Sequence, residues 1–523
     1  MRTALREFVL DDSGMPESDA DLVALGPRLS WRADGRARTA RRAWLDTFDW
    51  RLYRAGLTLE LTSGRGTAQL TLTGRDGAVI AAQPAAAAGS RPRWPALLDA
   101  LPVGPLRERL RPVVGVRALL PVARATSTLH GLRVLNADDK TVARVTVDRM
   151  SVSYPGKAAL PPRLTVTALR GYQAQADRLA GILAAANGVT DGSGGALEAA
   201  LFAAGRQPGD YTGKINVTLA PQAPAVTAVA AVLQHLLGTL QANVSGVVRD
   251  IDSEFLHDLR IAVRRTRSTL KLAGDALPSG LAGRFRPEFK WLGDLTTPTR
   301  DLDVYLMGID AMAAGLVAAA PDELLPFREH LARRRSAEQR RLARGLRSAR
   351  FSRLASEWRD ALGSAAASRK TKPAAAQLAA RRIRRAHRRV LADGGAITAA
   401  SAPESMHELR KRCKDLRYLL EIFGSLYDPG EHWQAVRELK ALQDCLGEFQ
   451  DTEVQRGEIR AFAAQMMDER TAPAATLLAM GEIAAGLAIR QRQARSEFAG
   501  RFRDFASPAS QHRIRAMTEA AAT

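Results

Sequence analysis

Two stretches of this 523-residue chain gather basic side chains at helical spacing behind a histidine. The first, LHDLRIAVRRTRSTLKLAG from Leu256, carries His257, Arg260, Arg264, Arg265, Arg267 and Lys271. The second, MHELRKRCKDLRYLLEIFG from Met406, carries His407, Arg410, Lys411, Lys414, Arg417 and Tyr418. At about 100° per residue, His257, Arg260, Arg264, Arg267 and Lys271 fall within roughly 80° of arc. His407, Arg410, Lys414 and Arg417 fall in the matching arc. Leu256, Leu259, Val263, Thr266 and Leu270 point the other way, as do Met406, Leu409, Cys413, Leu416 and Leu420. Each stretch therefore reads as an amphipathic helix with a buried apolar side and a cationic polar side. Solvated helix faces alternate signs, because like charges three and four apart repel. A stripe of one sign calls for an anion, and Arg and Lys supply charge-assisted hydrogen bonds to its oxygens. The histidines have no carboxylate or cysteine at metal-ligand spacing. Either they donate to a phosphate or they bond a neighbouring helix or carboxylate.

The two stretches stand in one register. His257 and His407 are 150 positions apart, and the same offset matches Arg260 with Arg410, Arg267 with Arg417 and Gly274 with Gly424. It continues through Lys290 and Lys440, Asp294 and Asp444, Asp301 and Asp451, and Val304 and Val454. A register kept over two segments means a duplicated helical unit. Lys290 and Lys440, in the helix after each stretch, are expected to extend the cationic site, and Arg284 and Arg286 could join them.

Composition points the same way. Lys and Arg number 76 against 55 Asp and Glu, a net charge of +21 that calls for a polyanionic partner: nucleic acid, an anionic membrane or a phosphate polymer. Aromatic residues are only 5% and are not interleaved with the basic stripes, which disfavours base stacking and a specific nucleic-acid partner. Cys413 and Cys445 exclude a disulfide scaffold, and no metal-ligand spacing, Gly-rich phosphate loop or Ser-His-Asp order occurs. Neither a cofactor nor a metal is expected. Glu7, Asp11 and Asp12 argue against a signal peptide. The most apolar run, Ala223 to Leu240, is interrupted by Gln234 and His235 and reads as a buried helix. The cytoplasm is the expected location.

The elements that position these residues follow from periodicity. From residue 1 to about 172, LREFVL, LTLELT, AQLTLTG, ARVTVDR and RLTVTAL alternate with period two between glycine-bearing breaks. They predict an antiparallel barrel or sandwich, with a helical insertion near 96–110 and a helix over 174–186. Gly- and Pro-rich sequence follows to Pro224. Long 3.6-residue periodicities then predict an all-helical region with helices at 225–246, 251–273, 281–295, 300–319, 322–347 and 351–362. The second half predicts 375–393, 404–424, 430–446, 450–468 and 473–505. An exposed link spans 363–377, and the tail after Ser507 is expected to fray. The pairs Asp301/Asp303 and Asp451/Glu453 fall at predicted helix starts, where capping accounts for them; orienting arginines from behind is the other reading. In RRIRRAHRR, Arg381, Arg384, Arg385 and Arg388 share helical spacing and are expected to line the site. Arg333 to Arg335, Arg340, Arg341, Arg344 and Arg347 read as exterior.

Two families come into view on these residues. WLDTFDWRLYRAGLTLEL (Trp44 to Leu61), with AQLTLTGRDG after it, resembles the CYTH-type triphosphate tunnel family, which implies an eight-stranded antiparallel tunnel. Its catalytic signature does not carry over. Thr3, Leu5 and Glu7 stand in the place of Glu-x-Glu-x-Lys, Glu60 and Thr62 replace tunnel arginines, and Thr73 replaces a lysine. Thr165 and Thr167 replace the late Glu-x-Glu, and only Asp148 survives. Metal-assisted phosphate chemistry needs several oxygen ligands held together. The helical region resembles the conserved histidine α-helical (CHAD) domain family. The first-half pattern is supplied by His257, Arg260, Arg264, Arg265 and Arg267, followed by Arg300, Asp301, Asp303 and Val304. The second half supplies His407, Arg410, Lys414, Arg417 and Tyr418, with Gln450, Asp451, Glu453 and Val454. That resemblance implies two pseudo-symmetric bundles around a basic groove that binds inorganic polyphosphate; targeting to polyphosphate granules, or organising them, is the role expected of such a binder. The expected organisation is α+β and multidomain. A degenerate CYTH-like β-tunnel occupies 1–205, a linker 206–224, and a CHAD domain 225–510, in repeats of about 225–363 and 375–510. The expected function is binding without catalysis; the alternative is a metal-dependent triphosphate or polyphosphate phosphohydrolase working through the N-terminal tunnel.

Overall fold

The computed structural model describes residues 5–10, 30–64, 67–86, 93–192, 195–367 and 373–520. Two compact units divide the chain, Met1–Thr212 and Gly213–Thr523.

In the first unit the alternating runs form one antiparallel sheet: β1 (Leu5–Leu10), β2 (Ser30–Ala33), β3 (Arg38–Asp46), β4 (Leu57–Gly64), β5 (Thr67–Gly74), β6 (Val79–Pro84), β7 (Leu120–Leu135), β8 (Thr141–Tyr154), β9 (Ala158–Ala159), β10 (Arg163–Ala168) and β11 (Val189–Asp191). The order is β11-β1-β10-β8-β7-β3-β4-β5-β6, with β2 on β7 and β9 on β8. Among the described residues no pairing joins β6 to β11, so the sheet is open where a closed barrel was expected. Among the described residues four α-helices accompany it: α1 (Arg51–Arg54), α2 (Pro105–Val114), α3 (Gln173–Ala184) and α4 (Ala196–Phe202). Inward residues of the strands meet the apolar faces of these helices. Val145, Val147, Leu164 and Val166 pack with Leu179 and Leu183 of α3, and Leu45, Leu59, Leu70 and Leu72 with Leu106 and Leu110 of α2.

Period two turns the intervening residues to the other face of the sheet. There Glu7 lies opposite Thr165, Thr165 opposite Thr146, and Arg163 opposite Asp148. Thr3 lies outside the described residues. The surviving acid, Asp148, is already engaged: Arg42 of β3 donates to its Oδ2 at 2.8 Å and to both oxygens of Glu60 at 2.6 and 2.7 Å. All three side chains are about four-fifths buried or more. Removing the cation of a buried ion group leaves uncompensated charge, at a cost of roughly 3–5 kcal/mol. Arg42→Met should therefore destabilise the first unit by about 3 kcal/mol in denaturant unfolding. The triple variant Arg42→Met/Glu60→Gln/Asp148→Asn should recover most of that loss.

Among the described residues the second unit contains helices and no strand. Its helices are α5 (Ala225–Val248), α6 (Ser253–Leu272), α7 (Leu281–Ala314), α8 (Leu325–Leu346), α9 (Ala349–Ala366), α10 (Ala375–Gly395), α11 (Pro403–Phe423), α12 (Pro429–Asp468), α13 (Ala474–Phe505) and α14 (Pro508–Ala520). α5 is long and apolar enough to cross a membrane by length and composition, and most of its apolar window is buried within the bundle.

Three expectations are corrected here. α7 replaces the helices expected at 281–295 and 300–319, and α12 replaces those at 430–446 and 450–468. Pro298 lies between the two expected helices; α7 runs through it, and the hydroxyls of Thr296 and Thr297 donate back to the Gly293 carbonyl at 2.9 and 2.8 Å. Asp301, Asp303, Asp451 and Glu453 are consequently mid-helix, so capping does not explain them. The tail expected to fray forms α14, which packs on α10 and α12 and buries Ile514 and Met517.

The duplication is visible as a local two-fold. The Ala225 N–H donates to the Pro373 carbonyl at 2.9 Å, and the Ala375 N–H donates to the Ala223 carbonyl at 2.8 Å. Each bond is the other shifted by 150 positions, so the two halves begin by pairing with one another.

Candidate functional site

Helix α6 begins at Asp252, whose carboxylate accepts from the N–H groups of Glu254 and Phe255 at 2.9 and 3.2 Å. That cap fixes which way the first stretch faces, and Leu256, Leu259, Val263, Thr266 and Leu270 are buried as the periodicity requires. In α11 the same is true of Met406, Leu409, Cys413, Leu416 and Leu420.

The two helices pack against each other. Arg265 donates from Nε to Glu421 at 2.9 Å, Lys271 donates to Asp415 at 2.7 Å, and the Arg264 guanidinium lies 6.0 Å from the Tyr418 ring centre. Residue numbers fall along α11 as they rise along α6, so the helices run antiparallel. The two ion pairs are again related by the 150-residue offset, and the crossing is centred near Ser268 and Tyr418. His257 and His407 each lie about 16 Å out from this centre along their own axes, in opposite directions.

A single cationic run results: His257, Arg260 and Arg264 on α6, then Lys414, Arg410 and His407 on α11. Arg264 is electrostatically coupled to His257, Arg260 and Lys414, and Arg410 is coupled to Lys414. Arg264 is exposed; Lys414 is half-buried. Burial, and then the charges of Arg410 and Arg264, push the Lys414 ammonium down to about 8. Burial is the largest part of that depression, and the two guanidinium charges add to it against the opposing pull of Asp451. Burial and the neighbouring Arg300 likewise hold His257 below the ordinary imidazole range.

The helices behind this run orient it. Arg260 donates to Thr297 Oγ1 at 2.6 Å and to Thr296 Oγ1 at 3.4 Å, both on α7. Arg410 donates to Asp451 on α12 at 2.8 Å. His407 Nδ1 is 2.8 Å from Gln450 Oε1, and the matching position in the first half, Arg300, stands beside His257. Asp303 accepts from Arg335 Nε at 2.8 Å. Asp451 thus holds a basic side chain of the run from behind and Asp301 lies electrostatically beside Arg260, whereas Asp303 holds Arg335 of α8 outside the run. Arg300, Thr296, Thr297 and Gln450 were not among the expected site residues, although the 150-residue register pairs Arg300 with Gln450.

The remaining expected residues are placed differently. Arg265 is in the crossing and also donates to the Gly213 carbonyl at 2.8 Å; Lys271 is neutralised by Asp415. Arg417 donates to Glu421 at 2.9 Å and to Gln443 at 3.2 Å. Tyr418 is buried. Arg267 is exposed and passes so close over Gly293 that a Cβ there would sit 2.7 Å from its Nη1. Lys290 and Lys440 reach Asp294 and Asp444 at 2.7 and 2.6 Å on their own helices, and Lys411 reaches Glu408 at 2.7 Å. Arg284 pairs with Glu357, and Arg286 donates to the Leu270 carbonyl.

Arg381, Arg384, Arg385 and Arg388 lie on α10, away from the run. Arg412 joins α11 to Asp393 of α10 at 3.2 Å. It lies roughly 160° around α11 from both Arg410 and Lys414. Among the described residues, no group of three or more His, Cys, Asp or Glu could hold a metal ion.

This unit, then, is a duplicated helical bundle whose internal two-fold joins two cationic helices into one run. Residues 231–460 match the family model of the CHAD domain, so the chain carries a CHAD domain in its helical unit. "Uncharacterized protein Rv2226" of Mycobacterium tuberculosis is 29% identical over 305 residues, covering 56% of this chain and 56% of that protein; the chain thus matches about half the length of this relative. The crystal structure of the CHAD domain from the plant Ricinus communis is 25% identical, covering 59% of this chain and 96% of that one with a TM-score of 0.43. PptA from Streptomyces chartreusis is 18% identical, covering 54% and 99% with a TM-score of 0.42. The N-terminal antiparallel sheet is consistent with the CYTH-like resemblance, without the closed tunnel.

The depressed lysine can be measured directly. In an NMR titration the Lys414 ammonium should lose its proton near pH 8. The midpoint should move up towards the ordinary lysine range in Arg410→Gln, because a repelling charge is removed. An ordinary midpoint in the unsubstituted protein would contradict the depression described above.

Proposed function

We propose that the helical unit binds inorganic polyphosphate along the run His257–Arg260–Arg264–Lys414–Arg410–His407, and that the protein acts at cytoplasmic polyphosphate granules as a binding protein. The observation that carries this reading is Lys414, half-buried between Arg410 and Arg264 with its ammonium depressed to about 8. A bound polyanion would relieve that repulsion. Polyphosphate is a flexible chain of like charges without bases, and the run offers guanidinium, ammonium and imidazole donors with few aromatic platforms. CHAD-domain membership supports the choice among polyanions. Arg264, Arg410 and Lys414 make the central contacts. His257 takes up a proton as the anion arrives, since a nearby negative charge favours imidazolium. Arg265, Lys271 and Arg417 hold the crossing together, and Lys290 and Lys440 flank it with their charges already paired.

Binding, not turnover, is proposed for the whole chain. In the first unit Asp148 and Glu60 accept from Arg42, and Thr165 and Thr167 stand where the tunnel family carries acids.

Affinity for long-chain polyphosphate should fall steeply with salt. With four charged contacts the log–log slope should be about −3, by analogy with single-stranded nucleic acid. Charge reversal at Arg260, Arg264, Arg410 and Lys414 together should abolish binding, while Arg333→Gln/Arg334→Gln should change it less than threefold. Salt-insensitive binding, or none, would sink the proposal. Affinity should also drop between pH 7 and pH 9.5 as Lys414 deprotonates, and Lys414→Arg should flatten that dependence. Incubation with triphosphate and Mg²⁺ or Mn²⁺ should release no phosphate; release that Asp148→Ala removes would restore the hydrolase alternative.

A further inference from the structure

Helix α10 carries a second cationic surface. Arg381, Arg385, Arg388 and Arg389 are all exposed, and they lie within nine residues on one side of the helix. The opposite side, including Ala376, Ala379, Ala380, Ile383 and Val390, is buried in the bundle. Arg384 lies at the margin of the exposed row and is electrostatically coupled to Tyr427. The only carboxylate in α10, Asp393, is taken by Arg412 of α11, and Arg382 is taken by Asp275. Five arginines three and four apart repel one another along a single helix, so this face is intrinsically costly without a counter-charge.

Two comparisons set it apart from the general basic surface. The first is internal. Shifted by 150 positions, Arg381, Arg384, Arg385, Arg388 and Arg389 become Ala231, Gln234, His235, Gly238 and Thr239 of α5. The matching face of the first half has no arginine, so the duplicated architecture does not require the charge on α10. The second is α8, whose exposed Arg333, Arg340 and Arg344, with Arg347 just past its end, are spread over fifteen residues, a sparser row than that of α10.

Its position matters as much as its density. α10 joins α11 through Arg412, roughly 160° around that helix from Arg410 and Lys414. One anion lying along the run does not also cover the exposed row of α10.

We propose that the arginine face of α10 is a second polyanion-binding surface, so that one molecule holds two segments of polyphosphate and bridges them. This rests on the reading of the run as the primary polyphosphate site. Two attachment points per molecule turn a binder into a cross-linker, and on long chains the second contact gains from effective concentration. Short chains bind at the run alone.

The test uses the full chain with polyphosphate of two lengths. Arg381→Gln/Arg385→Gln/Arg388→Gln/Arg389→Gln should bind a short oligophosphate within about twofold of the unsubstituted protein. Its turbidity threshold with long-chain polyphosphate should rise at least tenfold. The corresponding four Arg→Lys changes should keep the threshold, because they keep the charge. Arg333→Gln/Arg340→Gln/Arg344→Gln/Arg347→Gln removes the same net charge and should leave it within about threefold. Equal loss from the α8 and α10 variants would make net charge the cause and overturn the inference, as would an unchanged threshold in the α10 Gln variant. Failure of the unsubstituted protein to bind short oligophosphate would instead remove the primary site. Melting curves for each variant separate loss of fold from loss of contact.

Discussion

The helical unit depends on how two like-charged helices can be packed side by side. α6 and α11 are both rich in Arg and Lys, and close approach without compensation would be repulsive. The crossing is made possible by Arg265 on Glu421 and Lys271 on Asp415, with Arg417 sharing Glu421. These pairs spend the cations nearest the interface and leave Arg264 and Lys414 beside each other, outside those ion pairs. The depressed Lys414 ammonium is thus a product of the packing itself. Binding capacity arises where neutralisation stops.

The first unit shows the opposite outcome. On the face of the sheet where the tunnel family concentrates charge, Arg42 has drawn Glu60 and Asp148 into one buried group, and threonines occupy the flanking strands. Charges that satisfy one another offer little to a ligand. Within one chain, the sheet has closed its electrostatics and the bundle has left its own open.

How much of this was legible in the sequence depended on the range of the interactions. The duplicated helices, their buried sides and the antiparallel strands were readable, because periods of 3.6 and two are local properties of the chain. The 150-residue register anticipated the local two-fold, which the reciprocal bonds at Ala225 and Ala375 make explicit. Helix boundaries were less accessible. Pro298 and the polar residues around Asp301 and Asp451 look like breaks, yet α7 and α12 continue because both flanks are held in the bundle. The site residues were sorted least well. Arg264 and Arg265 are adjacent in sequence and equally basic, but a turn of 100° points one into the run and the other at Glu421. Only the partner helix decides that, and it lies about 150 residues away. The arginines of α10 likewise precede the second signature helix in sequence while lying across it in space.

The crossing also makes the halves unequal. At the paired positions the first half contributes Arg265 and Lys271, and the second contributes Asp415 and Glu421. Two first halves meeting by the same geometry would set arginine against lysine, and two second halves would set aspartate against glutamate. Lock and key have been divided between the repeats. An identical pair carrying either set alone would meet like charge at both positions, so the crossing depends on the difference between the halves.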